Sequence, residues 1–136
     1  MSRVPVLVMT CIVFAALAAT PFALASSGSS KLLTTVTVTA GKPSEFGFIL
    51  SKKSVKKGII SFKVTNKGSI PHDFKFCTKR VTNSKANTCT GRSTKTLSPG
   101  QSQTLRVSAL LSGTYEYLCT LPGHAAGGMK GLIKVS

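Results

Sequence analysis

Acidic side chains and histidines are scarce in this 136-residue sequence. There are three carboxylates, Glu45, Asp73 and Glu116, against 18 lysines and arginines, and two histidines, His72 and His124. So thin a supply leaves few side chains for acid/base catalysis. Internal repeats are absent, and beyond the N-terminus there is neither a helical apolar face nor a hydrophobic run approaching a bilayer span. Tracts rich in Met and His, and any Cys-x2-Cys pair, are missing as well.

What is present begins with a leader. Arg3 precedes the apolar run VPVLVMTCIVFAALAATPFALA, which ends in Ala23-Leu24-Ala25. A basic start, an apolar middle and an Ala-x-Ala site predict a secretory signal over residues 1–25, cleaved after Ala25. Retention as a membrane anchor is the alternative, because the run is long enough to approach a span. A lipoprotein signal fits poorly, since Cys11 sits inside the apolar core behind Met9-Thr10. Residues 26–31 read as a flexible Ser/Gly-rich leader, and residues 32–136 as one domain.

Removing Arg3 with the signal leaves 17 basic residues against three acids, a net charge of +14. Such a field bears on solubility and on the sign of a partner, not on fold. For an exported, periplasmic or cell-surface protein, nucleic acid is not the expected counterpart. A redox partner with an acidic surface, an anionic membrane face or a cell-wall polymer is. The Lys-rich segments 52–57 and 75–85 read as solvated faces.

Cys77, Cys89 and Cys119 remain after the signal. An odd number in an oxidising compartment suggests one disulfide and one thiol kept for another purpose. Cys77 and Cys89 bracket TKRVTNSKANT, a polar segment without a core pattern, which a bridge would restrain by about 3 kcal/mol. Cys119 is then the spare.

The rest of the chain has β character. LLTTVTVTA, SEFGFIL, IISFKVTN, HDFKFC, QTLRVSAL, GTYEYLC and KGLIKVS alternate or cluster branched and aromatic residues between Gly/Pro turns. In IISFKVT, Ile60, Phe62 and Val64 share one face; Tyr115, Tyr117 and Cys119 share another, and the tyrosines read as packing, not as electron relays. Seven to eight short strands in about 110 residues predict an all-β, Greek-key antiparallel sandwich or barrel.

One stretch, CTLPGHAAGGM, spaces Cys119, His124 and Met129 evenly between two predicted strands. Pro122-Gly123 and Gly127-Gly128 permit the tight path by which such a loop presents three donors to one point. His72, behind Pro71, is the only other imidazole. Two imidazoles, one thiolate and one weak thioether form an electron-transfer copper set. Zinc would favour a closed tetrahedron with more thiolates.

With IPHDFKF and GTYEYLCTLPGHAAGGMKGLIKV together, the chain resembles the cupredoxins, the blue type 1 copper proteins typified by plastocyanin and azurin. Its Cys-x4-His-x4-Met spacing is closest to auracyanin, rusticyanin and sulfocyanin; the Cys–His gap of plastocyanin is shorter. The resemblance implies one type 1 copper ion with His72, Cys119 and His124 equatorial and Met129 axial. It further implies a docking patch of Leu121, Pro122, Ala125 and Ala126 around the edge of His124. Several family members carry Asn after the first histidine; here Asp73 occupies that place, with Thr120 as a candidate partner. An ionised carboxylate there would favour Cu(II) and lower the potential.

The function this predicts is a monomeric one-electron carrier cycling Cu(II)/Cu(I) between redox partners. Extracytoplasmic copper storage, delivery or tolerance is the alternative, and it usually comes with the Met/His-rich tracts missing here. A multicopper oxidase would flank the copper cysteine with histidines, whereas Leu118 and Thr120 stand there. No enzymatic activity is expected.

Overall fold

In the computed structural model, which describes residues 32–83 and 86–136, the alternating segments become two packed β-sheets. The predicted signal over 1–25 and the leader over 26–31 lie outside the described residues. Among the described residues nine strands form: β1 (Leu33–Ala40), β2 (Phe48–Leu50), β3 (Ser54–Val55), β4 (Gly58–Asn66), β5 (Lys75–Arg80), β6 (Gly91–Ser93), β7 (Ser102–Ala109), β8 (Gly113–Leu118) and β9 (Lys130–Val135). One sheet has the order β2-β1-β4-β7 and the other β3-β9-β8-β5-β6.

The period of two decides what faces inward. On β1 Val36, Val38 and Ala40 are buried while Thr35 and Thr37 face water. On β4 Ile60, Phe62 and Val64 are buried, and on β7 Leu105, Val107 and Ala109. The second sheet contributes Phe76, Tyr115, Tyr117, Ile133 and Val135. Between the sheets the aromatic rings interlock. Phe74 stacks on Tyr117 at 5.5 Å between centroids and lies 5.0 Å from Phe62, and Phe76 stacks on Tyr115 at 5.3 Å. Offset and tilted rings of this kind add roughly 0.5–1.5 kcal/mol per pair to the burial itself. The Tyr115 hydroxyl donates to the Leu111 carbonyl at 2.8 Å, so its polar end is satisfied.

Three expectations change. The sandwich is not wholly antiparallel: β1 pairs with β4 in parallel, Val36 opposite Phe62, and β3 pairs with β9 in parallel. Periodicity reports which face is apolar and is blind to strand direction. The Lys-rich segment 52–57, read as a solvated face, supplies the short strand β3 and buries Val55. SEFGFIL is a strand only from Phe48; its first part belongs to a loop closed by the Gly41 amide on the Gly47 carbonyl at 2.9 Å.

The Cys77–Cys89 disulfide is formed, with the two Cα atoms 5.7 Å apart. It joins Cys77 of β5 to Cys89, two residues before β6, and so closes the bracketed segment beside the point where Cys77 lies opposite Gly91. Its sulfurs pack with Leu118 and Ala125, beneath the loop that follows β8.

Candidate metal centre

β8 and β9 are antiparallel neighbours whose last pair is Leu118 opposite Lys130. Everything from Cys119 to Met129 is therefore the connection across one end of the sandwich, and the Cys119 amide donates to the Met129 carbonyl at 3.0 Å. Within the loop, His124 N–H donates to Leu121 O, Gly127 N–H to Gly123 O and Met129 N–H to His124 O, at 2.8–3.1 Å. Such winding needs left-handed backbone at two points, and glycines supply it: φ is +81° at Gly123 and +105° at Gly128.

His72 arrives from the segment that leads into the neighbouring strand, three residues before β5 begins. β5 pairs with β8 with Lys75 opposite Leu118. Carried two residues further, that register sets Asp73 against Thr120. Accordingly Asp73 Oδ1 accepts the Thr120 N–H at 2.6 Å and Oδ2 accepts the Thr120 hydroxyl. The His72 backbone exchanges two hydrogen bonds with Leu97. Asn66, fully buried, donates to the carbonyls of Ile70 and Leu97 at 2.8 Å each and accepts from the Gly68 amide at 2.9 Å, which shapes the turn ahead of Pro71.

The donor atoms then converge. His72 Nδ1 lies 3.2 Å from His124 Nδ1, and Cys119 Sγ lies 3.4 Å from the same His124 nitrogen. All three donors fall within 4.8 Å of one another. Ligands about 2.0–2.3 Å from a shared ion stand at such separations, so the arrangement fits a metal. His72, Cys119 and Met129 are fully buried, and Met129 packs beside Cys119 and Ala40. One thiol with two imidazoles and a thioether suits copper. Burial pushes the Cys119 thiol up to about 11, opposed by the backbone N–H groups of Asp73 and Leu121. Burial lowers His124, and the neighbouring His72 adds to the effect, favouring the neutral imidazole that a metal requires.

Two residues at this site were not singled out from the sequence. Glu45, in the loop between β1 and β2, accepts from His72 Nε2 at 2.8 Å. Phe46 beside it sets its ring edge-on to His124 at 5.0 Å and is 41% exposed. A signal for Glu45 was available: with only three carboxylates in the chain, each is conspicuous, and two of them lie at this centre. The third, Glu116, is buried on β8. The apolar patch around His124 also needs correction. Leu121, Pro122 and Ala126 are at least partly exposed, but Ala125 is buried against Leu118 and the disulfide. Phe46 takes its place at the surface.

The Ser69 backbone N–H, then the His72 ring and the Ser69 hydroxyl, hold Glu45 down at about 2. A carboxylate depressed in the folded chain stabilises it fully above its ordinary value near 4.5. That contribution fades as pH falls from there through about 2. In copper-free protein, the stability gap between wild type and Glu45→Gln should therefore narrow over that interval. Denaturant midpoints taken at steps of pH measure it, and a gap constant with pH refutes the assignment.

Residues 34–136 match the profile of the copper binding proteins of the plastocyanin/azurin family. The chain is a cupredoxin. Among solved structures, the cupredoxin is similar to dithionite-reduced auracyanin from Roseiflexus castenholzii, with 25% identity and a TM-score of 0.57 over 76% of this chain and 97% of that one. It also shares its fold with auracyanin B (22% identity, TM-score 0.61, 79% and 91% covered). Rusticyanin from Thiobacillus ferrooxidans gives 23% identity and a TM-score of 0.60, with 76% and 77% covered. No curated protein sequence matches it directly. The cupredoxin binds copper, and its family and fold are those of blue copper electron carriers.

Proposed function

We propose that the protein is an exported one-electron carrier that docks acidic redox partners at the surface around His124. The observation carrying this reading is the contrast at the centre. Cys119, His72 and Met129 are sealed from solvent, while His124 is partly exposed among Phe46, Leu121, Pro122 and Ala126. One ligand edge thus reaches the surface through an apolar rim, as close electronic contact with a partner requires.

Copper supplies the Cu(II)/Cu(I) couple. The chain's part is to keep the donors in place: Asn66 and Leu97 hold the His72 segment, Asp73 ties it to Thr120, and the β8–β9 ladder closes behind Cys119 and Met129. Fixed donors limit the rearrangement that accompanies each transfer. Burial of three of them also favours a retained ion over storage or delivery. The disulfide, formed within the domain, supports folding in an oxidising compartment.

The +14 charge makes the docking prediction. Electron transfer to an acidic redox protein should slow by about tenfold or more between low salt and about 1 M, where screening acts within about 3 Å. Transfer to a neutral small-molecule oxidant should change little. Stopped-flow rates across that range decide the matter, and equal salt dependence for the two oxidants would remove the acidic partner.

A further inference from the structure

We propose that Glu45 is the positioning residue of the His72 ligand, and that its negative charge biases the centre toward Cu(II). The inference rests on the copper reading of the site.

The two nitrogens of the His72 ring face opposite tasks. Nδ1 points into the donor cluster, 3.2 Å from His124 Nδ1, and Nε2 lies 2.8 Å from Glu45 Oε1. A carboxylate only accepts, so the proton sits on Nε2 and the Nδ1 lone pair is left for the metal. The ring is fully buried, and a proton on Nδ1 instead would leave the Glu45 carboxylate facing a bare Nε2 lone pair.

Glu45 is itself held. Both its oxygens face the Ser69 amide at 3.0 and 3.1 Å; Oε2 also takes the Ser69 hydroxyl at 2.8 Å, and Oε1 the Ile70 amide at 3.2 Å. Those donors belong to the turn that leads into His72. The carboxylate therefore fixes the ligand through its ring and through its backbone at once. Space for the contact depends on Gly68. A Cβ there would fall 2.2 Å from Glu45 Oε1 and 2.9 Å from His72 Nε2, closer than side-chain atoms approach. The absence of a side chain at this position lets the loop from Gly41 to Gly47 fold over the imidazole.

The charge has a direction. Reduction of Cu(II) to Cu(I) lowers the charge of the centre by one. An anion hydrogen-bonded to a ligand favours the more positive state and raises the basicity of the imidazole that binds it. Asp73 lies on the ligand loop side and bonds Thr120, so Glu45 is the carboxylate in direct contact with a ligand ring.

The test uses Glu45→Gln and Glu45→Ala in the full domain, with two readouts. Nitrogen-15 shifts of the His72 ring in copper-free protein should show one tautomer, protonated at Nε2, in the wild type and in Glu45→Gln, whose side-chain oxygen still accepts. Glu45→Ala should show exchange between tautomers. In copper-loaded protein, Glu45→Gln should shift the Cu(II)-over-Cu(I) affinity ratio about tenfold toward Cu(I), a rise in potential of about 59 mV for a one-electron couple. A wild-type His72 protonated at Nδ1, or a Glu45→Gln potential equal to or below wild type, overturns the proposal. Should the copper-loaded wild type lack a thiolate-to-copper band, the copper reading fails instead, while the tautomer measurement still reports on the Glu45–His72 contact.

Discussion

Replacing Cys119 by serine is expected to abolish the intense visible band of the copper-loaded protein and to weaken Cu(II) binding by more than the roughly 10–100-fold that loss of an outer-shell partner costs. The thiolate is the soft donor that distinguishes copper from harder ions, and a serine hydroxyl cannot replace its charge transfer. The fold should survive. A hydroxyl is close in size to a thiol, and the Asp73 and Leu121 backbone N–H groups that point at the sulfur would bond the oxygen. The cost is then limited to about 1–3 kcal/mol for burying a polar atom. A second signature follows from the thiol at about 11, protonated at neutral pH in copper-free protein. Copper uptake should displace that proton in wild type and not in Cys119→Ser, which titration in weak buffer measures. A visible band that persists in Cys119→Ser refutes the site.

The largest loss of stability is expected from Phe74→Ala. Phe74 is fully buried, stacks on Tyr117, and touches Phe62 and Phe48 at 5.0 and 5.3 Å between centroids. Truncating a core phenylalanine costs roughly 3–5 kcal/mol, because the cavity closes only in part. For a domain of this size the melting temperature should fall by more than about 12 °C, at roughly 4 °C per kcal/mol. The damage should also reach the metal. Asp73 and His72 immediately precede Phe74, whose amide is anchored on the Thr94 hydroxyl at 3.0 Å. Faster loss of copper to a chelator should therefore accompany the lower melting point. Leu111→Ala, at a side chain 61% exposed, serves as the comparison and should stay within about 0.5 kcal/mol. If both variants melt together, Phe74 does not join the two sheets.

Some of this molecule was legible before its folding was known. Alternation in IISFKVT named Ile60, Phe62 and Val64 as inward residues, and they are buried. The odd cysteine count separated Cys77 and Cys89 from Cys119, and the bridge is present. Cys119, His124 and Met129 stood in one short loop, and His72 was the single imidazole left to join them. Those readings succeed because they depend on residue type and on neighbours close along the chain.

Other features depend on contacts that form only when distant segments meet. The parallel pairing of β1 with β4 cannot be read from a period of two, which is the same for either direction. Ala125 sits among small exposed residues along the chain, yet the disulfide and Leu118 draw it inward. Asn66 looks like a turn residue and becomes a buried clamp across 31 positions. Glu45 stands 27 residues before His72, in a segment that read as the start of a strand. The sequence by itself determined which atoms are available to bind copper, because donor chemistry belongs to side chains. The tertiary structure decided how those atoms are aimed and which charge stands behind them, because packing closes the loop between β1 and β2 over the histidine.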